Sequence, residues 1–179
     1  MTIKTQKLQK IVSEIGKSGV LPLIADFKCS RNKDSENFLK SASLRHDSKD
    51  ISRTYLIMDD EGGEQRIMGY YTLAMKCMNA VDLDPDLDQE IIKLMNLNNG
   101  IAQAYLIGQL AREDDAMPGL GRKMLDEALV IFSGVKEKIG CRMVRLDCKD
   151  ELVDYYTSYG FRHIKKNYEM DLNQMVIFV

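Results

Sequence analysis

The sequence predicts a single mixed α/β domain, in which a mixed central sheet of about six to seven strands is flanked by helices. Three observations support this fold class. Short runs of β-branched and aromatic residues alternate with segments whose apolar residues have helical spacing. The 179 residues, of which 45% are hydrophobic, suffice for one domain with an ordinary core. The sequence contains no internal repeat or low-complexity linker.

The N-terminal helix is predicted over residues 5 to 17, where four apolar residues from Leu8 to Ile15 fall at helical spacing. We interpret residues 1 to 19 as an amphipathic helix that packs on the domain or on a partner, and residues 20 to 179 as the domain itself. Association of the basic face with a membrane is the alternative.

The next elements are a helix and a pair of strands. Residues 30 to 43 predict the helix, because a polar start is followed by an apolar stripe. Thr54 to Met58 and Arg66 to Met75 predict two antiparallel strands that are joined by a turn at Gly62-Gly63.

Four aspartates from Asp82 to Asp88 surround Pro85 and precede a short helix between Ile91 and Met95. Alternating aspartates can bind calcium, but the glycine and the terminal glutamate of an EF-hand loop are missing at their spacing. We therefore interpret this run as a solvated loop and helix start.

The second half of the chain alternates strand and helix and ends with two strands. In order, the predicted elements are a strand at Ile101 to Leu110, a helix at Gly119 to Lys138, a strand at Met143 to Cys148, a helix at Glu151 to Tyr159 that ends at Gly160, and strands around Tyr168 to Leu172 and Met175 to Val179.

The composition argues against several classes of protein. No apolar run approaches the roughly 20 residues that cross a bilayer. The polar start of the chain is unlike a signal peptide, so we expect a cytoplasmic protein without a membrane partner. The four cysteines lack CxxC spacing and the two histidines lie far apart, so no metal site is predicted. The net charge of -2 gives no global field that would attract nucleic acid, although a local basic patch would still be compatible with it.

The turn from Arg112 to Gly121 is the first candidate for chemistry. Its glycines allow the backbone to approach a ligand closely, and the following helix start offers N–H groups and the positive end of the helix dipole to an anion. Arg122 and Lys123 add positive charge. A lone Gly-x-Gly is also typical of ordinary helix starts, so both interpretations stay open.

The second candidate is the tyrosine pair Tyr155-Tyr156, which precedes Gly160-Phe161. A tyrosine hydroxyl, with a pKa of about 10, can donate a proton to a leaving thiolate. Because most tyrosines are packing residues, the position within a larger pattern must decide.

Three stretches, Tyr105 to Arg112, Gly119 to Leu125 and Asp147 to Phe161, resemble in this order the core motifs of the GNAT superfamily of N-acetyltransferases. The resemblance implies the GNAT fold, with splayed central strands that form an acetyl-CoA cleft. It also implies an acyltransferase that passes an acetyl group from acetyl-CoA to a primary amine, which attacks the thioester directly.

The same resemblance assigns roles to residues. The tyrosine that protonates the CoA thiolate corresponds to Tyr156, with Tyr155 at the aromatic position before it, and no residue stands out as the general base. The implied cofactor-binding residues are Leu110, Ala111 and Arg112 on the strand, and Met117, Gly119, Leu120, Gly121 and Arg122 in the loop and helix start. The loop departs from the family's pattern, because Glu113, Asp114 and Asp115 would repel a diphosphate unless they point into solvent.

Further stretches upstream resemble the GNAT branch that contains the acetyltransferase toxins of toxin-antitoxin systems: Asp26 to Cys29, Phe38-Leu39, Ser52 to Thr54 and Gly69 to Leu73. This resemblance implies acetylation of the amino acid on charged tRNA, an antitoxin protein as partner, and a homodimer. Two groups of cationic side chains could form the edges of an RNA-binding surface. The alternative is that they are ordinary solvated surface charges. They are Arg162, His163, Lys165 and Lys166 with Arg142 and Arg145, and Arg45, Lys49 and Arg53.

Two alternatives remain open. One is an acetyltransferase that acts on a small molecule or on a protein amino terminus. The other is a degenerate GNAT protein that binds acyl-CoA or a partner without turnover. The acidic run beside Met117 favours the degenerate protein, and the retained tyrosine pair opposes it.

Overall fold

The computed structural model describes residues 3–60, 65–81 and 83–179. The predicted turn at Gly62-Gly63 and the aspartate at position 82 lie outside the described residues. The chain forms two compact units, Met1–Ala74 with Gln109–Ala128 and Met75–Gly108 with Leu129–Val179. The prediction of one domain after residue 19 stays a prediction.

The first unit contains the N-terminal elements and parts of two elements that it shares with the second unit. Its elements are β1 (Ile3–Lys7), α1 (Leu8–Asp26), α2 (Lys33–Ser41), α3 (Ser43–Ser48), β2 (Arg53–Asp59), β3 (Arg66–Met75), the second half of β6 (Tyr105–Arg112) and the first half of α5 (Leu120–Ile139).

The second unit contains the remaining halves of β6 and α5 and the C-terminal elements. The others are β4 (Met78–Asn79), α4 (Gln89–Leu94), β5 (Ile101–Ala102), β7 (Met143–Cys148), a 3₁₀ turn (Asp150–Leu152), α6 (Val153–Tyr159), β8 (Arg162–Asn167) and β9 (Leu172–Phe178).

The main sheet has seven strands in the order β1-β2-β3-β6-β7-β9-β8. β6 and β7 are parallel, whereas the β1-β2, β2-β3, β7-β9 and β9-β8 pairs are antiparallel. The register between β6 and β7 covers only Tyr105 to Ile107 on β6. A seven-stranded mixed sheet with helices confirms the predicted fold class.

The start of the chain differs from the prediction. Residues 3 to 7 form a strand that pairs with β2, and α1 continues to Asp26 with a kink at Gly16, where φ is 71°. The predicted helix start at residue 5 is therefore wrong. The strand depends on partners distant in sequence, since Thr5 Oγ1 donates to Glu127 Oε2 at 2.8 Å.

The core of the first unit lies under α1. Leu8, Ile24 and Leu56 are almost fully buried. Phe27 meets Tyr70 edge to face, with ring centroids 5.6 Å apart. The predicted helix at residues 30 to 43 is divided at Ala42, where φ of −122° ends α2 before α3 begins.

The core of the second unit forms where the segment from β4 to β5 packs on β7 and β9. Met78, Met95 and Ala102 from this segment cluster with Met143 and Val176 from the sheet. Burial of their apolar surface anchors the aspartate-rich loop beside the sheet.

The last strand pair also differs from the prediction. β8 is Arg162–Asn167, and the residues predicted as a strand from Tyr168 form the hairpin turn. Asn167 Oδ1 accepts the N–H groups of Glu169 and Met170 at 3.1 and 3.2 Å, and Asp171 has φ of 52°. This side-chain turn outweighs the apolar character of Tyr168 and Met170.

Candidate active site

The end of β6, the loop that follows it and the start of α5 hold all eight predicted cofactor-binding positions, and they lie in the first unit. Ala111 is buried, whereas Leu110 and Arg112 are half-buried. After the strand, Glu113 N–H donates to Met68 O of β3 at 2.9 Å. The carboxyl end of β6 is therefore fixed to its neighbour.

The loop between these elements is closed by its own side chains. Arg112 Nη1 donates to Ala116 O at 3.3 Å, across the loop. Gly119 takes a left-handed conformation with φ of 85°, which a side chain rarely adopts, just before α5 begins at Leu120. The loop geometry thus requires a glycine at this position.

The helix start offers the groups that an anion needs. The first N–H groups of an α-helix have no partner within the helix and carry the positive end of its dipole. The first turn of α5 has no acidic residue, and Arg122 and Lys123 are exposed there. A substituent on Gly119 would meet no atom within 4 Å, so the space beside the loop is open. These residues fit a diphosphate.

The acidic run is directed to local donors. Asp114 Oδ1 accepts the N–H and the hydroxyl of Ser30, both at 2.9 Å, and Oδ2 accepts the same N–H at 3.1 Å. Glu113 is buried, and its Oε2 accepts the N–H of Asp115 at 2.6 Å. Two of the three carboxylates that the sequence placed against the diphosphate are therefore engaged elsewhere.

Contacts that no sequence pattern predicted hold α2 against β6. Ser35 Oγ donates to Gln109 Oε1 at 2.6 Å, and Tyr70 donates its hydroxyl to Ser35 O. Asn32 is the N-cap of α2, and its Oδ1 accepts Ser35 N–H at 3.1 Å. Gln109, the partner of the Ser35 hydroxyl, lies 74 residues further along the chain, so no local pattern could reveal this contact.

Tyr156, the predicted catalytic residue, lies on α6 in the second unit and is only 7% exposed. Its ring meets those of Tyr155 and Phe161 edge to face, with centroids 5.1 and 5.7 Å away. α6 ends at Gly160, where φ of 110° lets Phe161 N–H donate to Tyr156 O at 3.0 Å. The Gly-Phe pair thereby fixes the tyrosine.

Burial raises the pKa of the Tyr156 hydroxyl well above its usual value, and the neighbouring Cys148 and Tyr155 raise it further. The hydroxyl therefore keeps its proton at neutral pH. A buried, protonated hydroxyl has the state required of a general acid.

The predicted basic edges are partly neutralised. Lys166 Nζ pairs with Asp150 and Asp171 at 2.8 and 2.9 Å. Arg145 is buried and donates two hydrogen bonds to Asp147, at 2.8 and 2.7 Å. Arg53 pairs with Asp47 and Asp50. Arg45, Lys49 and Arg162 form no ion pair among the described residues.

Within the described ranges, no three His, Cys, Asp or Glu side chains are placed to hold a metal ion. The same part of the chain includes no helix that is long and apolar enough to cross a bilayer.

Solved structures share this fold over nearly the whole chain, and the fold is that of the GNAT proteins. A tyrosine-to-phenylalanine mutant of KacT matches with a TM-score of 0.78 and 17% identity, over 99% of this chain and 95% of that chain. AtaT complexed with acetyl-methionyl-tRNAfMet matches with a TM-score of 0.76 and 16% identity, over 99% and 95%. AtaTR bound with AcCoA matches with a TM-score of 0.71 and 17% identity, over 98% and 92%.

At the level of sequence, neither a family model nor a curated protein matches the chain. Because the sequence identities to these solved structures are low, the similarity establishes the fold alone. The roles predicted for the individual residues stay predictions.

Proposed function

We propose that this protein is an acetyl-CoA-dependent N-acetyltransferase of the toxin type, which acetylates the amino group of the amino acid on charged tRNA. The observation that carries the proposal is the start of α5, which follows a turn at Gly119 with open space beside it. The first turn of α5 contains the cations Arg122 and Lys123 and no carboxylate. Such a turn suits the diphosphate of CoA. The main-chain groups of Leu110 to Arg112 would bind the pantetheine arm.

The reaction needs little from the protein beyond positioning and one proton. A neutral amine attacks the thioester carbonyl, the N–C bond forms and the C–S bond breaks. Tyr156 donates its proton to the departing thiolate, and the proton that the amine loses restores the tyrosine through solvent. Direct attack requires no covalent intermediate on the enzyme.

The neighbours support the substrate and the partner. One AtaT structure holds acetyl-methionyl-tRNAfMet, and another shows the AtaT toxin bound to the C-terminus of the antitoxin AtaR and acetyl-CoA. By analogy, we propose an aminoacyl-tRNA acceptor and a protein antitoxin for this chain. A homodimer stays a prediction from sequence.

Calorimetric titration with acetyl-CoA tests the cofactor site. Gly119→Asp puts bulk and negative charge where the diphosphate would lie, and we expect it to abolish binding that the wild type shows. Gly100→Asp is the matched control, because Gly100 has φ of 74° and equally open surroundings in the second unit. Absence of binding by the wild type, or equal loss in both variants, would refute the proposed site.

Acetylation of charged tRNA tests the reaction. Tyr156→Phe should lower kcat by roughly a hundredfold or more while the affinity for acetyl-CoA is unchanged, because only the proton is removed. Tyr168→Phe, at a side chain that is 85% exposed, is the control. Turnover of free amines or peptides but not of charged tRNA would favour the small-molecule or N-terminal alternative, and binding without turnover would favour the degenerate protein.

A further inference from the structure

The second unit carries an open groove between α4 and the neighbouring ends of β8 and β9. Two cavities, of about 240 and about 450 Å³, both touch Asp88, Ile91 and Arg162. Because they share these residues, the two cavities adjoin, and we refer to them together as the groove. The groove runs from the aspartate-rich loop, past α4, to the end of β9.

Part of the groove lining is apolar. Ile91 and Leu94 lie one helical turn apart on α4, and Ile177 and Phe178 line the groove from β9. Leu94 is 38% exposed, and the other three side chains are half-buried. A row of partly exposed aliphatic and aromatic side chains gains free energy when another apolar surface covers it.

One rim of the groove is strongly acidic. Asp84, Asp86, Asp88 and Glu90 all line it, and His163 Nδ1 lies 3.4 Å from Asp84 Oδ2. Asp88 Oδ1 caps α4 by accepting the N–H of Glu90 at 2.8 Å.

Across the groove stands a single arginine, Arg162. The described residues supply no ion pair for Asp86 or Glu90. Elsewhere in the unit, by contrast, Lys166 alone binds two aspartates. Four carboxylates facing one arginine leave the groove with a net negative charge, and like charges repel each other.

We propose that this groove is a docking surface for a basic amphipathic peptide segment of a partner protein. Its aliphatic side chains cover Ile91, Leu94 and Phe178, and its lysines or arginines meet Asp86 and Glu90. Charge complementarity selects a basic segment. It also argues against a second copy of this chain, because an isologous contact would bring two acidic rims together.

The end of the groove at Phe178 lies away from Tyr156 along the sheet. Phe178 of β9 pairs with Met143 at the start of β7. Cys148, whose charge raises the pKa of the Tyr156 hydroxyl, lies at the end of β7 and pairs with Asn173. The groove also touches Gly160, which ends the helix that carries Tyr156. The proposal does not depend on the acetyltransferase proposal.

Methyl NMR of the full chain tests the location. The probe is a short synthetic peptide of alternating lysine and leucine, and its analogue with glutamate in place of lysine is the charge control. We expect saturable shifts at the methyl groups of Ile91, Leu94 and Ile177 with the lysine peptide only. Leu97 is the internal reference, since it is 37% exposed but does not line the groove.

Variants test the energetics by fluorescence anisotropy with the same peptide. Leu94→Ser should weaken binding about tenfold, because an apolar contact is lost, and Leu97→Ser should leave it unchanged. Glu90→Lys should weaken binding by a similar factor. Glu137→Lys makes the same charge change at an exposed position of α5 and should leave binding unchanged.

Three results would overturn the proposal. Leu94→Ser and Leu97→Ser could weaken binding equally, the glutamate peptide could bind as well as the lysine peptide, or the shifts could fall outside the groove. Sedimentation supplies a further criterion. If the wild type is a dimer that Leu94→Ser dissociates, a second copy occupies the groove and the proposal is wrong.

Discussion

Replacement of Gly69 by alanine should destabilise the protein, because β3 passes very close to β6 and α5 at this residue. A Cβ atom there would lie 3.0 Å from Met124 Sδ, 3.1 Å from Ala111 O and 3.3 Å from Leu120 Cδ2. Met124 is fully buried and Ala111 O belongs to the backbone, so neither can retreat freely. Overpacking of this kind costs about 1 to 3 kcal/mol.

The matched control is Gly134→Ala on α5. No atom lies within 4 Å of the added Cβ and the position is helical, so this variant should gain about 0.5 to 1 kcal/mol. The two substitutions are chemically identical and should shift the free energy of unfolding in opposite directions.

Urea unfolding followed by circular dichroism measures both variants. For a chain of this length, 1 kcal/mol corresponds to a Tm change of about 2 to 4 °C, so thermal unfolding provides an independent check. A Gly69→Ala protein that is as stable as the wild type would show that the close approach of β3 to Ala111 and Met124 is absent.

Two further predictions concern titratable groups. Hydrogen bonds from Lys33, from the Cys29 N–H and from Lys40 lower the pKa of Glu36 from 4.5 to about 2. The ionised carboxylate therefore stabilises the fold above pH 4.5, and this contribution is lost as the pH falls towards 2. Glu36→Gln should flatten the dependence of the urea midpoint on pH in that window, and equal slopes in both proteins would contradict this. Burial, mainly, raises the pKa of Cys148 to about 11, so a thiol reagent at about pH 8 should modify exposed Cys77 first and Cys148 last in the native protein; early modification of Cys148 would show that its thiol is accessible.

The elements that the sequence predicted well are those with a strong local pattern. Strands β3 and β7 were predicted with their observed bounds, and α5 begins and ends within one residue of the prediction. β3 and β7 are buried on nearly their whole length, so apolar residues dominate them. Local composition is informative where burial imposes it.

Two of the errors fall on the outer strands of the sheet. β1 consists of Ile-Lys-Thr-Gln-Lys and β8 contains Ile164 as its one apolar residue. Such strands form because a neighbour offers hydrogen bonds, to β1 from β2 and to β8 from β9. Neither partner is visible from the residues of the strand itself.

For the candidate site, sequence patterns suggested which residues to examine but not how they are held. Gly119 and Gly160 were identified, and both adopt the left-handed conformations that their predicted turns require. The contact of Ser30 with Asp114 links residues 84 positions apart. No local pattern encodes a pairing over that distance.

That contact bears on the choice between an enzyme and a degenerate relative. The main sequence argument for the degenerate protein was electrostatic repulsion between the acidic run and a diphosphate. Asp114 instead orders the turn between α1 and α2 by accepting from Ser30, and Asp114 N–H donates to Lys28 O at 3.0 Å. Because a hydrogen-bonded carboxylate is held at its donors, Asp114 is kept on the Ser30 turn. The structure of the first unit thus accounts for Asp114 and Glu113, and exposed Asp115 is the member of the run that would repel a diphosphate.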